Sequence, residues 1–146
     1  MLFRSDYMSP IAITGILAID HVGIAVPDLR EAIDFYQSHF AGRVLHQEEN
    51  SEQGVIEAMV AIGATPGTVI QLLAPLTPDS PIARFIERSG PGMQQLALRV
   101  TDVASAAEQA RALGMRTLYE EPKRGDRKST RLNSSHSQQS RMPSSA

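Results

Sequence analysis

The 146-residue sequence contains no cysteine, which excludes disulfide bonds and thiolate metal sites. Any metal ion must therefore be held by histidine, carboxylate or amide groups. The sequence also lacks a long apolar run: residues 16–19 are the longest near the amino terminus, far short of the roughly 20 residues that span a bilayer. We therefore expect a soluble, cytoplasmic protein that does not enter a membrane.

Both ends of the chain differ in composition from its middle. Seven of the last eighteen residues are serine, and no apolar periodicity is present there. Residues 126–136 resemble the translation of a short-read sequencing adapter, and residues 2–5 resemble the opposite adapter end. We therefore expect residues 1–5 and 126–146 to be adapter artefacts, the second of them disordered, and exclude both from fold prediction.

Positive charge is scarce in the remaining sequence. Residues 6–125 contain nine Lys and Arg against fifteen Asp and Glu, a net charge of −6. The sequence therefore contains no basic stripe, and we expect no nucleic-acid partner. The loop at residues 89–92 contains glycine but lacks the Lys-Ser/Thr pair of a phosphate loop, so we interpret it as a linker.

An internal repeat relates residues 19–29 to residues 93–103 at an offset of 74. Each copy is typical of a strand that ends at an aspartate, Asp28 or Asp102, which caps a helix. These helices are predicted over 29–40 and 103–113 and are expected to end at the next glycines, Gly42 and Gly114.

The first copy continues with two more strands, predicted over residues 55–62 and 68–74, and a short helix over residues 81–88. Short strands at residues 44–46 and 117–119 follow the two repeated helices, and the glutamates after the first of these are predicted to form a solvated loop cluster that includes Glu48 and Glu49. The sequence therefore predicts an α+β fold of paired βαβββ modules. Residues 17–89 form the first module, and residues 92–125 form the βαβ start of an incomplete second module.

Glu57 is the one carboxylate in the alternating segment 55–62. It shares a strand face with Val55, Met59 and Ala61, whereas the opposite face is wholly apolar and belongs to a core. An acid in mid-strand is usually solvent-facing, so this segment alone leaves a surface position and a site position open.

Three other polar residues lie in predicted strands among small or apolar neighbours. His21 and Gln95 occupy equivalent positions in the two copies, and Gln71 lies in the strand over residues 68–74. A histidine satisfied by a backbone carbonyl is the alternative to a site residue, and a buried amide needs hydrogen-bond partners. With Glu57, these residues predict one concavity in which an imidazole and amide oxygens could hold a divalent ion.

With these features the sequence resembles the methylmalonyl-CoA epimerase family of the vicinal oxygen chelate superfamily. The resemblance covers about residues 17–125 and is most specific at residues 48–59, where a glutamate follows Gln-Gly-Val-Ile. It implies two βαβββ modules around a divalent metal, with His21 and Gln71 as ligands. A third ligand, normally histidine, falls on Gln95. The last, a glutamate expected near position 145, is replaced by the adapter-like sequence.

The resemblance also implies a reaction, the interconversion of (R)- and (S)-methylmalonyl-CoA by proton transfer at the α-carbon. Glu57 would be one of two acid/base groups, and a cobalt, zinc, manganese or magnesium ion would stabilise the enolate. An acyl-CoA thioester is the expected substrate and a homodimer the expected assembly at full length. We expect the truncated chain to be inactive because it lacks the second group.

Two other functions remain open. A glyoxalase-I-type lyase of the same fold would usually place glutamate where Gln71 stands. A metal-free small-molecule binding module, similar to antibiotic-sequestering relatives, is favoured by Gln95 but disfavoured by His21 and Glu57 together.

Overall fold

A computed structural model of the protein describes residues 12–64 and 67–117. The elements are, in order, β1 (Ile16–Ala25), α1 (Leu29–Phe40), β2 (Arg43–Asn50), β3 (Val55–Ala61), β4 (Val69–Pro75), α2 (Pro81–Ser89), β5 (Gly92–Val100) and α3 (Val103–Ala112). The α+β class is confirmed. Both adapter-like segments and most of the strand expected at 117–119 lie outside the described residues.

The strands form one five-stranded sheet in the order β2-β3-β4-β1-β5. The strands β2, β3 and β4 pair in an antiparallel manner, whereas β1 and β4 are parallel. Since β4 lies between β3 and β1, its side chains adjoin those of both strands. Residues 18–99 form one compact unit, and this unit contains every candidate site residue.

The described residues of the second compact unit are 12–17 and 100–117. Its described part contains α3, whose cap Asp102 accepts a hydrogen bond from the Ser105 backbone amide at 2.9 Å. Within this unit the Thr14 backbone amide donates to Gln109 Oε1 at 2.8 Å. Over the described ranges, no helix has both the length and the apolar character needed to cross a membrane.

One face of the sheet packs against α1. Leu29 of α1 forms a buried cluster with Ala58 and Val60 of β3 and with Leu72 and Ala74 of β4. Partly buried residues of α1 and of the segment before it pack against this cluster: Val26, Ala32, Ile33 and Tyr36. The alternation predicted for β3 is therefore found, with Ala58 and Val60 fully buried on this face.

The opposite face carries a smaller apolar cluster at one end. Ala25 of β1, Val55 of β3 and Leu73 of β4 pack there with Ile82 of α2. Ser80 caps α2, because its hydroxyl oxygen accepts a hydrogen bond from the Ala83 backbone amide at 3.1 Å. Helix α2 thus covers one end of this face, and the polar residues continue along the same strands.

Helix α1 ends at Phe40 as predicted, but Gly42 is not the residue that terminates it. The residue in the left-handed conformation is Ala41 (φ 51°), not the following Gly42. Gly42 is needed for another reason: a Cβ there would approach Val60 Cγ1 to 2.9 Å and the Tyr36 carbonyl oxygen to 3.0 Å. Its role is to let the chain pass close to the core.

The prediction of a loop at the glutamates after residue 46 was wrong for Glu48 and Glu49, whereas Glu52 does lie exposed in the turn before β3. Glu48 and Glu49 belong to β2, which continues to Asn50 and pairs along its length with β3. A register shift between Val44 and His46 accompanies this longer strand. Pairing with β3 therefore overrides the weak strand preference of consecutive charged residues.

Candidate functional site

Glu57 lies half-buried in β3 and does not simply face solvent. Its Oε2 accepts a hydrogen bond of 2.8 Å from the Gln71 side-chain amide. The neighbours of Glu57 on the same strand face, Val55 and Met59, are each 3% exposed. The carboxylate is therefore held at a defined position on an otherwise apolar strand face.

Both the nitrogen and the oxygen of the Gln71 side-chain amide are hydrogen-bonded. While its Nε2 donates to Glu57, its Oε1 accepts a hydrogen bond of 2.6 Å from Gln95 Nε2. That same Gln95 nitrogen lies 3.5 Å from His21 Nε2. The four residues that the sequence singled out thus form one connected series from Glu57 through the two amides to the imidazole.

His21 is oriented by its neighbour in sequence. Its Nδ1 lies 2.9 Å from Asp20 Oδ2, and the ring is buried. A carboxylate only accepts hydrogen bonds, so Nδ1 carries the proton and the Nε2 lone pair points away from Asp20, towards the amides. This arrangement is the one in which metal-binding histidines are usually found.

Arg99 in turn holds the Asp20 carboxylate. Its Nε and Nη2 donate to Asp20 Oδ1 at 3.1 and 2.7 Å. Burial alone would raise the pKa of Asp20, but its hydrogen bonds to His21 and Arg99 and the charge of Arg99 outweigh it and hold that pKa below its ordinary value of 3.8. Asp20 is therefore a stable anion that fixes the histidine ring.

The register of the sheet explains why these residues meet. Gln71 in the middle of β4 is the partner of Gly23 on β1 and of Met59 on β3. Glu57 lies diagonally across from Gln71, within reach of its long side chain. Gly23 also leaves space for Gln95, because a Cβ at residue 23 would overlap Gln95 Cγ and lie 3.0 Å from its Cδ.

Sequence reasoning missed four neighbours of this site. Asp20 could have been recognised from its position directly before His21. Arg99, Gly23 and Glu48 carry no such signal, because their roles depend on strand register. Glu48 is the cross-strand partner of Glu57, and its Oε2 lies 2.8 Å from His46 Nε2.

The donor set fits a divalent cation. His21 Nε2 and Gln71 Oε1 are two lone-pair donors that converge on the amide of Gln95, and each is oriented by a carboxylate, Asp20 or Glu57. Within the described ranges no three His, Cys, Asp or Glu side chains cluster as a metal site would require. The candidate cation site of these residues therefore depends on the glutamine oxygens as well as on His21.

Comparison with known proteins gives a consistent result. The profile of the Glyoxalase/Bleomycin resistance protein/Dioxygenase superfamily matches residues 20–132. The mitochondrial methylmalonyl-CoA epimerase of Homo sapiens is 35% identical over 108 residues, which are 73% of this chain and 60% of the human protein. The chain thus spans less than two thirds of that relative's length.

Solved structures agree in fold. The methylmalonyl-CoA epimerase of Mycobacterium tuberculosis is 43% identical with a TM-score of 0.71, covering 79% of this chain and 76% of that one. A variant of the Streptomyces coelicolor methylmalonyl-CoA epimerase in complex with 2-nitronate-propionyl-CoA is 38% identical with a TM-score of 0.69, covering 76% and 81%. The chain therefore belongs to the Glyoxalase/Bleomycin resistance protein/Dioxygenase superfamily and, within it, to the methylmalonyl-CoA epimerase family.

Proposed function

We propose that this protein contributes the first half of an epimerase site that moves a proton at the α-carbon of methylmalonyl-CoA. The observation that carries the proposal is the unbroken hydrogen-bond series from Glu57 through Gln71 and Gln95 to His21. It puts a candidate base and a candidate cation site on one face of one sheet. The Streptomyces coelicolor relative, solved with an acyl-CoA analogue, supports the same class of substrate.

Glu57 acts as the base on one face of the substrate. The bond from Gln71 fixes Oε2, which aims the carboxylate without neutralising it. A carboxylate so positioned can take the α-proton, and a positioned base typically gives about 10²–10⁴-fold acceleration. Met59, buried beside Glu57, helps to keep water away from it.

His21, Gln71 and Gln95 would hold a divalent cation through one ring nitrogen and two amide oxygens. When bound, such an ion polarises the thioester carbonyl and stabilises negative charge that develops on its oxygen. Asp20 keeps the His21 ring in the tautomer that leaves Nε2 free to bind, and Arg99 holds Asp20. Cobalt, zinc, manganese and magnesium all remain compatible with this donor set.

Inversion of the α-carbon requires a second acid/base group on the opposite face of the planar enolate. The glutamate expected in that role falls near position 145, beyond the described residues. We therefore propose that the chain as given inverts the α-carbon poorly and that a version carrying the uninterrupted natural sequence after residue 125 is active. The homodimer and the cytoplasmic location stay predictions.

The deciding experiment follows loss of the α-proton signal of methylmalonyl-CoA in deuterium oxide by NMR. The assay is run separately on each epimer, because the second base still serves one of them. In the version with the natural sequence after residue 125, Glu57→Gln should lower the exchange rate of the other epimer about 10²–10⁴-fold. The matched control is Glu52→Gln, the same change at an exposed glutamate in the turn before β3, which should leave the rate unchanged.

Metal binding separates a catalytic from a structural effect. Glu57→Gln should still bind a divalent ion, because glutamine is nearly isosteric and can accept a hydrogen bond from Gln71. Near-normal exchange of both epimers by Glu57→Gln would rule out the proposed base. Binding of acyl-CoA with no exchange by the active version would instead favour a binding module.

A further inference from the structure

We propose that Gly23 and Gln95 act as a pair that sets which cation this site accepts, and that the pair reduces the advantage of Zn²⁺ over ions that prefer oxygen ligands, such as Mn²⁺. Gly23 is the positioning residue, and Gln95 supplies an amide oxygen. The inference rests on the cation site of the proposed function and adds a selectivity to it.

The role of Gly23 is spatial. Its φ is not among the positive values found at other glycines, so an alanine could adopt its backbone conformation. Yet a Cβ at this position would overlap Gln95 Cγ and lie 3.1 Å from Gln95 Nε2. Residue 23 is therefore glycine because the Gln95 side chain crosses β1 in van der Waals contact with the strand at that point.

This crossing brings the Gln95 amide to the two oriented lone pairs. Its Nε2 lies 2.6 Å from Gln71 Oε1 and 3.5 Å from His21 Nε2. Rotation of the terminal amide about the Cγ–Cδ bond exchanges its oxygen and nitrogen, and this torsion is broad and roughly two-fold. After that rotation Gln95 Oε1 would face the other two lone pairs, and a cation could be held there in place of the amide hydrogens.

The resulting donor set has a chemical preference. Imidazole nitrogen suits Zn²⁺, Ni²⁺ and Cu²⁺, whereas carbonyl oxygen and water suit Mg²⁺ and Mn²⁺. Two neutral amide oxygens and a single imidazole therefore give weak binding with a reduced advantage for zinc. A second imidazole at residue 95 would restore that advantage.

The test measures Mn²⁺ binding to the complete 146-residue chain by electron paramagnetic resonance, with Zn²⁺ as the competing ion. Every variant carries His39→Gln, His46→Gln and His136→Gln, so that His21 is the one remaining imidazole. Gln95→His should raise the Zn²⁺-to-Mn²⁺ affinity ratio by tenfold or more. Gly23→Ala should weaken Mn²⁺ binding about 10–100-fold, the range typical of groups that orient metal ligands.

A double variant isolates the pair. In a Gln95→Ala background the overlapping side chain is gone, so Gly23→Ala should cause no further loss of Mn²⁺ affinity. Thermal unfolding of each variant checks that the fold is intact. Additive losses, an unchanged metal ratio in Gln95→His, or a parent chain that binds neither ion at millimolar concentration would each overturn the proposal.

These outcomes are distinguishable from failure of the proposed function. The α-proton exchange assay on the version with the natural sequence after residue 125 reports on Glu57 independently. If exchange depends on Glu57 while Gln95→His leaves the metal ratio unchanged, the epimerase stands and the selectivity of the Gly23–Gln95 pair does not.

Discussion

The two faces of the sheet in residues 18–99 have different roles, although the same strands form both. On the face under α1, Ala58, Val60 and Leu72 are fully buried and belong to one apolar cluster. On the opposite face the adjacent residues of these strands are Glu57, Met59 and Gln71. Strand alternation thus puts the main stabilising contacts and the candidate chemistry one residue apart.

The polar face depends on hydrogen bonds for its stability, whereas the face under α1 depends on packing. Partly buried polar groups lower stability unless they are paired, and the amide of Gln71 pairs on both sides. The apolar side chains of Leu72 and Ala74 on the same strand need no hydrogen-bond partners. Substitutions on the two faces should therefore fail in different ways.

The largest stability effect is expected on the apolar face. Leu72→Ala removes a fully buried side chain from the middle of the α1-facing cluster and should cost about 2–5 kcal/mol. Urea unfolding followed by circular dichroism measures it. A loss below about 1 kcal/mol would mean that this cluster is not the main core of the unit.

The adjacent polar residue should show a smaller loss of a different kind. Gln71→Met keeps the length of the side chain but removes the bonds to Glu57 and Gln95, with an expected cost of about 1–3 kcal/mol. The same urea titration applies. A stabilised variant would show that the hydrogen-bond series is a net cost to folding, retained only for binding or catalysis.

The anchoring of α1 over the apolar face provides the next test. Asp28 Oδ1 accepts a hydrogen bond of 2.9 Å from the Glu31 backbone amide, so Asp28→Ala should cost about 1 kcal/mol. Asp28→Asn, which keeps a capping oxygen, is the matched control and should cost much less. Equal losses in both variants would assign the effect to charge and not to the cap.

The smallest effect concerns the pH dependence of Asp20 on the polar side. Because its pKa is lower in the folded chain than its ordinary 3.8, its stabilising contribution is complete above that pH and is lost as pH falls through the folded pKa. Arg99→Met removes one cause of the shift, so stability should fall less steeply with pH below about 4. Urea midpoints at a series of acidic pH values measure this slope, and an unchanged slope would contradict it.

Local patterns predicted much of the fold. The aspartate caps and helix starts at Leu29 and Val103 were correct, because capping chemistry is local to a few residues. The alternation around Glu57 correctly separated the two strand faces. The length of β2 was not predictable, since its charged half is held as a strand by pairing with β3, which is a non-local contact.

The residues of the candidate site could be predicted from the sequence, but the hydrogen bonds between them could not. His21, Glu57, Gln71 and Gln95 were identified because polar residues interrupt apolar strands. Which of them touch depends on register, and register is set by the whole sheet. The contact of Gly23 with Gln95 and that of Arg99 with Asp20 therefore became visible only in three dimensions.

The most direct test of the central claim, that the polar face forms one connected cation and base site, is a crystal structure of the chain grown with Mn²⁺ and measured for anomalous scattering. We expect one strong peak between His21 Nε2, Gln71 Oε1 and the Gln95 amide, with Gln71 Nε2 still donating to Glu57. A peak only at surface carboxylates, or a Gln71 side chain turned away from Glu57, would contradict it.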